Sequence, residues 1–104
     1  MPNPGRSRHE VSLKAASEFT RAYRHGRDRP KVLGGSFSRD IFERILAQRG
    51  CKGIRYYYGK DAHGEPVLVL VGTDAKGNDL SEGVIGEVSY PCPPFCAAPN
   101  PLNS

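Results

Sequence analysis

The sequence predicts an α+β domain in which two N-terminal helices pack on a small, mainly antiparallel three-stranded meander, followed by an extended Pro-rich C-terminal arm. Three observations lead to this prediction. Apolar residues recur at three- and four-residue spacing in the first half of the chain. Two strand-like runs, Ile54–Tyr58 and Val67–Val71, are each followed by an Asp-Ala-x-Gly turn. The last 14 residues contain five prolines.

The 104 residues are enough for one domain. Residues 1–9 lack periodicity and are expected to be a flexible lead-in, residues 10–90 to form the domain, and residues 91–104 to form the arm. The sequence has no run of 18 apolar residues and no apolar segment typical of a secretory signal. A cytoplasmic protein without a membrane partner is therefore predicted, and export without a classical signal stays open.

The first helix is predicted from about Leu13 to His25, with Ser12 as its N-cap and Gly26 ending it. Its apolar stripe consists of Leu13, Ala16, Phe19, Ala22 and Tyr23. The following segment, Arg27–Gly35, is expected to be a basic loop. Within it, Gly34-Gly35-Ser36 resembles the start of an anion-binding nest.

The second helix is predicted to begin after Ser38 and to close at Arg49 and Gly50. Phe37 is expected to pack on Phe42 as a hydrophobic staple. Its buried stripe would consist of Ile41, Phe42, Ile45 and Leu46. Because short helices with one apolar face are unstable alone in water, both helices must cover another element.

The strand Val67–Val71 is apolar on both faces, and the two helices can cover only one of them. The second face could be covered by the chain's own arm or by another subunit, whereas a disordered arm would leave it open. A third strand is predicted at Val84–Tyr90. The predicted interaction residues are Tyr57, Leu68, Leu70, Phe95 and Leu102.

Charge divides the chain into a basic and an acidic half. Residues 1–60 hold 14 of the 15 Lys and Arg against five acids, a net charge of +9, and residues 61–104 carry −5. This polarity would suit head-to-tail association of copies, or nucleic-acid binding as an alternative. The predicted basic patch consists of Arg21, Arg24, Arg27, Arg29 and Lys31. The predicted strand that contains Arg55 lacks the aromatic and glycine pattern of an RNA-recognition motif.

Three cysteines favour free thiols or metal ligands over a disulfide framework. The weak candidates for a zinc site are Cys51, Cys92, Cys96 and His63, with His9 further away. Only one pair of these ligands is close in sequence, so we predict no metal and no cofactor, with zinc binding as an alternative. A disulfide between Cys92 and Cys96, or from Cys51 to either, also stays open.

The two Asp-Ala-x-Gly turns could be compared with a calcium-binding loop. In the second turn, however, Lys76 occupies a position where calcium would need an oxygen ligand, so ordinary turns are predicted.

The sequence contains no nucleophile elbow, phosphate-binding glycine loop or His-Glu zinc motif, and no enzymatic activity is predicted.

Four segments together resemble a set of small uncharacterised bacterial proteins: Gly50–Arg55, Leu68–Gly72, Gly77–Asp79 and Cys92–Cys96. This resemblance spans about residues 38 to 102. It implies a bacterial, stand-alone module and assigns no activity to any residue. The function predicted from the sequence is a structural one, self-association into a homo-oligomer or a filament.

Overall fold

The computed structural model describes residues 7–87 and 89–104 and confirms the α+β class. Within these residues the strands form a three-stranded antiparallel sheet and a separate two-stranded sheet. Neither helix there has the length and apolar content needed to cross a bilayer. The elements in chain order are α1 (Leu13–Arg24), β1 (Gly34–Ser36), α2 (Arg39–Leu46), β2 (Gly53–Lys60), β3 (Pro66–Thr73), β4 (Ile85–Gly86) and β5 (Tyr90–Cys92).

Both helices begin where the capping residues predict. At α1 the Ser12 hydroxyl accepts a hydrogen bond from the backbone N–H of Ala15 at 3.0 Å. At α2 the Ser38 hydroxyl instead bonds the Asp40 carboxylate, and Phe37 packs edge-on against Phe42 with ring centroids 6.1 Å apart. The predicted staple is thus confirmed. Helix α2 ends at Leu46, earlier than the sequence predicts.

Strands β2 and β3 form the predicted hairpin, with eight consecutive antiparallel pairs from Gly53 opposite Thr73 to Lys60 opposite Pro66. In the connecting turn, the Asp61 carboxylate accepts hydrogen bonds from the backbone N–H groups of His63 and Glu65 at 2.8 and 2.9 Å. Asp74 makes the same arrangement in the next turn. Both turns are therefore ordinary Asx turns, as the sequence predicts.

The predicted third strand, Val84–Tyr90, is divided between two sheets. Only β4 joins the main sheet, where Gly86 lies opposite Leu70. The chain then departs, and β5 pairs antiparallel with β1, with Tyr90 opposite Ser36. Val88, which belongs to the predicted strand, lies outside the described residues. The main sheet therefore has the order β2-β3-β4, with β3 in the centre.

Helix α2 covers the face of the sheet that carries Leu70. A Cβ atom placed on Gly86 would lie 2.7 Å from Ile41 Cγ1, so that helix and sheet are in close contact there. Ile45 is fully buried and Leu70 is 5% exposed. Gln48 fixes the end of the helix, because its side-chain oxygen accepts a hydrogen bond from the backbone N–H of Val84 at 2.8 Å.

We expect Gly72→Ala to destabilise the fold by about 1–3 kcal/mol, because its new methyl group would overpack the helix–sheet contact. A Cβ at this position would lie 2.9 Å from Cys51 Sγ and 3.3 Å from Ile45 Cγ2. Urea denaturation would measure the loss in the free energy of unfolding. Gly34→Ala is the matched control in a strand, since a Cβ there meets no atom within 4 Å. Equal stability of the two variants would contradict this account of the packing.

Candidate interaction surfaces

A polar bridge within the chain covers the second face of β3 at Val71. Asp79 lies beside Thr73 on the β4 side of β3, and its carboxylate accepts hydrogen bonds from the Tyr57 hydroxyl and, at 2.5 Å, from Arg55 on β2. These partners lie on opposite sides of β3, so the bridge crosses the strand at Val71, which pairs with Arg55. Val71 is accordingly only 4% exposed.

The bridge changes the proton affinity of its members. The Tyr57 hydroxyl, and after it the guanidinium of Arg55, lower the pKa of Asp79 below its ordinary value of 3.8. The same hydrogen bond raises the pKa of Tyr57, because an ionised phenol would lose its bond to the carboxylate. The three side chains therefore form one charge-assisted network on the surface.

Tyrosine side chains occupy the outer strand of the sheet. Tyr56, Tyr57 and Tyr58 are all exposed, and Tyr58 most of all, at 83%. The rings of Tyr56 and Tyr58 contact each other edge-on with centroids 5.7 Å apart, and their interaction raises the pKa of Tyr58. Among the described residues, β2 pairs only with β3, so its outer edge carries backbone groups without a strand partner.

An apolar groove of about 410 Å³ lies where the two sheets and the end of α1 meet. Its walls combine aromatic, proline and aliphatic side chains with two phenol groups, and they include Tyr23, Leu33, Phe37, Tyr58, Leu68 and Pro91. Among the described residues, the lining has the hydroxyl of Ser89 but no acid, cysteine or histidine that could act as a general base. The groove is therefore suited to apolar contact.

The C-terminal arm lies on its own chain, against β1 and α1. The backbone N–H of Leu33 donates a hydrogen bond to the carbonyl oxygen of Cys92 at 2.7 Å. The Arg24 guanidinium bonds the carbonyl oxygens of Leu102, at 2.6 Å, and of Ser104. These contacts of the arm go to β1 and α1, whereas the sequence offered the second face of β3 as one of its expected positions.

The predicted basic patch needs a correction at Arg24. This side chain is 8% exposed, and its Nε atom has no hydrogen-bond partner among the described residues. It is buried because the arm closes over it, so it is not available to a nucleic acid. The other members of the patch, Arg21, Arg27, Arg29 and Lys31, are exposed.

The predicted interaction residues fall into an exposed group and a group that is at least half-buried. Tyr57, Phe95 and Leu102 are exposed. Leu70 is buried under α2, and Leu68 shares its face of β3 and lines the groove. Because Tyr57 pairs with Val69, it lies on the opposite face of the sheet from Leu68 and Leu70, so these predicted residues do not share one surface. Asp79 was missed because the local sequence does not indicate a contact across β3.

The cysteines are split between a disulfide and one free thiol. Cys92 and Cys96 are bonded to each other, with Cα atoms 4.7 Å apart, so the expectation of free thiols is wrong for these two. Cys51 is free and half-buried, and its Sγ donates to the carbonyl oxygen of Gly53 at 3.3 Å. His63 is exposed in the β2–β3 turn, and His9 is exposed before α1.

Two hypotheses about ligands are affected by these positions. The zinc alternative loses two of its candidate ligands to the disulfide, and residues 7–87 and 89–104 contain no cluster of three or more acidic, His or Cys side chains placed to hold a metal. The anion-nest hypothesis for Gly34-Gly35-Ser36 is wrong, because this segment is strand β1 and pairs with β5.

No family model, curated protein or solved structure matches the chain.

We expect Tyr57→Phe to raise the pKa of Asp79 toward 3.8, since the hydroxyl is the main cause of its lowering. Carboxyl-carbon NMR during a pH titration would measure this shift. Because the folded pKa lies below the unfolded one, the bridge stabilises the fold above the unfolded pKa and loses this effect as pH falls through the folded pKa. The variant should therefore lose less stability on acidification than the wild type.

Tyr56→Phe is the matched control for this titration, since Tyr56 lies on the opposite face of β2 and does not bond Asp79. Its Asp79 pKa should equal that of the wild type. An unchanged Asp79 pKa in the Tyr57→Phe variant would show that the hydroxyl does not hold the carboxylate.

Proposed function

We propose that this protein is a structural subunit that associates with copies of itself, as a homo-oligomer or a filament, through its sheet and C-terminal arm. The observation that carries the proposal is the amount of apolar surface that stays exposed. Among the described residues, fourteen large apolar and aromatic side chains are more than a third exposed, whereas Ile45, Leu70 and Val71 are the buried apolar side chains. Exposed apolar patches are typical of surfaces that contact another protein.

The kind of surface exposed also supports association. Large rings lie in water on several elements, with Phe19 of α1 exposed to 70% and Phe95 of the arm to 60%. Phe95 contacts Tyr90 edge-on, with ring centroids 5.6 Å apart, so the two rings form one apolar patch at the start of the arm. Burying a ring of this size contributes about 1.5–3 kcal/mol, which makes such a patch suitable for a protein interface.

Charge supports an ordered arrangement of the copies. Residues 1–60 carry +9 and residues 61–104 carry −5, and unlike charges on the surfaces of neighbouring molecules would attract each other. A contact between two different surfaces is heterologous, and if its rotation does not close, it produces a filament. Screening by salt weakens such a contact.

Nucleic-acid binding is the alternative, and one observation favours it. Arg21, Arg27, Arg29 and Lys31 are exposed around the end of α1 and its loop. A salt-dependent shift of labelled RNA or DNA at physiological ionic strength would select this alternative, because phosphate contacts release counterions. The same measurement on a variant with Lys31→Ala and Arg29→Ala would test whether the patch is responsible.

We expect light scattering in low salt to give a mass well above 11.4 kDa, decreasing as salt is raised. Phe95→Ser should also lower the mass, because it removes an exposed ring from the proposed contact. Val11→Ser is a control, since Val11 is exposed outside both the sheet and the arm. A monomer at every salt concentration would contradict self-association.

A cytoplasmic location is part of the proposal, and it makes a prediction about the thiols. Disulfides are rare in reducing compartments, so the bond between Cys92 and Cys96 should be reduced to two thiols in cells that keep the protein in the cytoplasm. Rapid alkylation of cell extracts followed by mass spectrometry would then give three modified cysteines. A single modified cysteine, Cys51, would instead indicate an oxidising compartment.

A further inference from the structure

The two edges of the main sheet differ. At one edge β4 has only two residues, which is too short to template pairing with another chain. At the other edge β2 has eight residues, paired with β3 in an unbroken register, without a proline or a bulge. Proteins usually protect long edges with such interruptions or with central charges, because an open edge pairs readily with another strand. The β2 edge has no such interruption, and its two charged residues, Arg55 and Lys60, lie on either side of the three central tyrosines.

We propose that β2 pairs antiparallel with β2 of a second copy, about a two-fold axis that passes between the two strands at the level of Tyr57. The two three-stranded sheets would then form one continuous six-stranded sheet. This inference rests on the proposed self-association and names one contact surface for it, an isologous one that is distinct from the heterologous contact that charge favours. The axis is perpendicular to the sheet, and residues that lie directly opposite each other point to the same side. Each face of the sheet therefore continues into the same face of the second copy.

The sequence of β2 is complementary to itself in this register. Tyr57 lies opposite its own copy, and Tyr56 lies opposite Tyr58 of the second copy, so that the central pairs are all aromatic. Cross-strand aromatic pairs are among the favourable ones. The exposed rings of the three tyrosines would supply the apolar surface that the contact buries.

Charge is compatible with this register, and the match of β2 to itself argues for a second copy as the occupant. Arg55 would lie opposite Gly59 and Lys60 opposite Ile54, so that no like charges face each other. An axis through Tyr56 would instead place Lys52 opposite Lys60. Arg55 is already bonded to Asp79 at 2.5 Å in its own molecule, which leaves the centre of the edge without an unpaired charge.

A charge-pair experiment tests the register. The double variant Tyr56→Lys, Tyr58→Lys places lysine opposite lysine across the axis, and Tyr56→Glu, Tyr58→Glu places glutamate opposite glutamate. Light scattering of each variant alone should show association weakened about tenfold, and a one-to-one mixture should recover it. Val11→Lys is the control, since it adds a charge at an exposed apolar side chain before α1, away from the edge. Circular dichroism would show that each variant keeps the fold.

Cysteine cross-linking tests the position of the axis. In a Cys51→Ser background, Tyr57→Cys should form a disulfide-linked dimer under mild oxidation, since only the residue on the axis meets its own copy. Tyr56→Cys and Tyr58→Cys should cross-link to each other in a mixture and poorly when alone.

The outcomes separate this inference from the proposed function. A wild type that associates while both charged variants associate equally well, with no gain on mixing, would overturn β2 pairing and leave self-association standing. A wild type that is monomeric at all salt concentrations would overturn both. Weakened association of each variant, recovery in the mixture and a Tyr57→Cys dimer would establish the contact.

Discussion

The whole structure depends on covering both faces of strand β3. Leu70 and Val71 are consecutive and point to opposite faces, yet both are buried. Different means cover them: Ile45 of α2 packs over the Leu70 face, and the bridge from Asp79 to Tyr57 and Arg55 crosses the Val71 face. These two covers determine where α2, β2 and the segment after β3 must lie. A hydrogen-bonded polar bridge can do this because its polar atoms have partners and its aliphatic and ring atoms remain over the valine.

The part of the fold that local chemistry determines could be predicted from the sequence. The cap at Ser12, the staple between Phe37 and Phe42, and the Asx turns at Asp61 and Asp74 all depend on residues within four positions of each other. Pairing of β1 with β5 was not predictable in this way. Its strands consist of Gly-Gly-Ser and Tyr-Pro-Cys, which carry no strand pattern and lie far apart in the sequence.

The candidate surfaces were predictable only where exposure follows from local pattern. The alternation in β2 and β3 indicated two faces, but the register that joins Tyr57 to Val69 rather than to a leucine is a property of the paired strands. The same limit applies to Arg24, since basic side chains in a row are normally solvated and only the returning arm buries this one. The sequence predicted that the second face of β3 must be covered. Val71 is buried on that face, but Tyr57 and Ile85 on the same face of the sheet are exposed.

The bond from Arg24 to the carbonyl oxygen of Leu102 joins residues 78 positions apart, and this has a consequence for synthesis on the ribosome. Helix α1 leaves the ribosome early, but the segment that holds its last turn is translated much later. A helix of 12 residues is marginal alone in water, so α1 has little to stabilise it during that interval. The β2–β3 hairpin and α2 can assemble from nearby segments in the meantime. The first helix of the chain would therefore be among the last elements to become fixed.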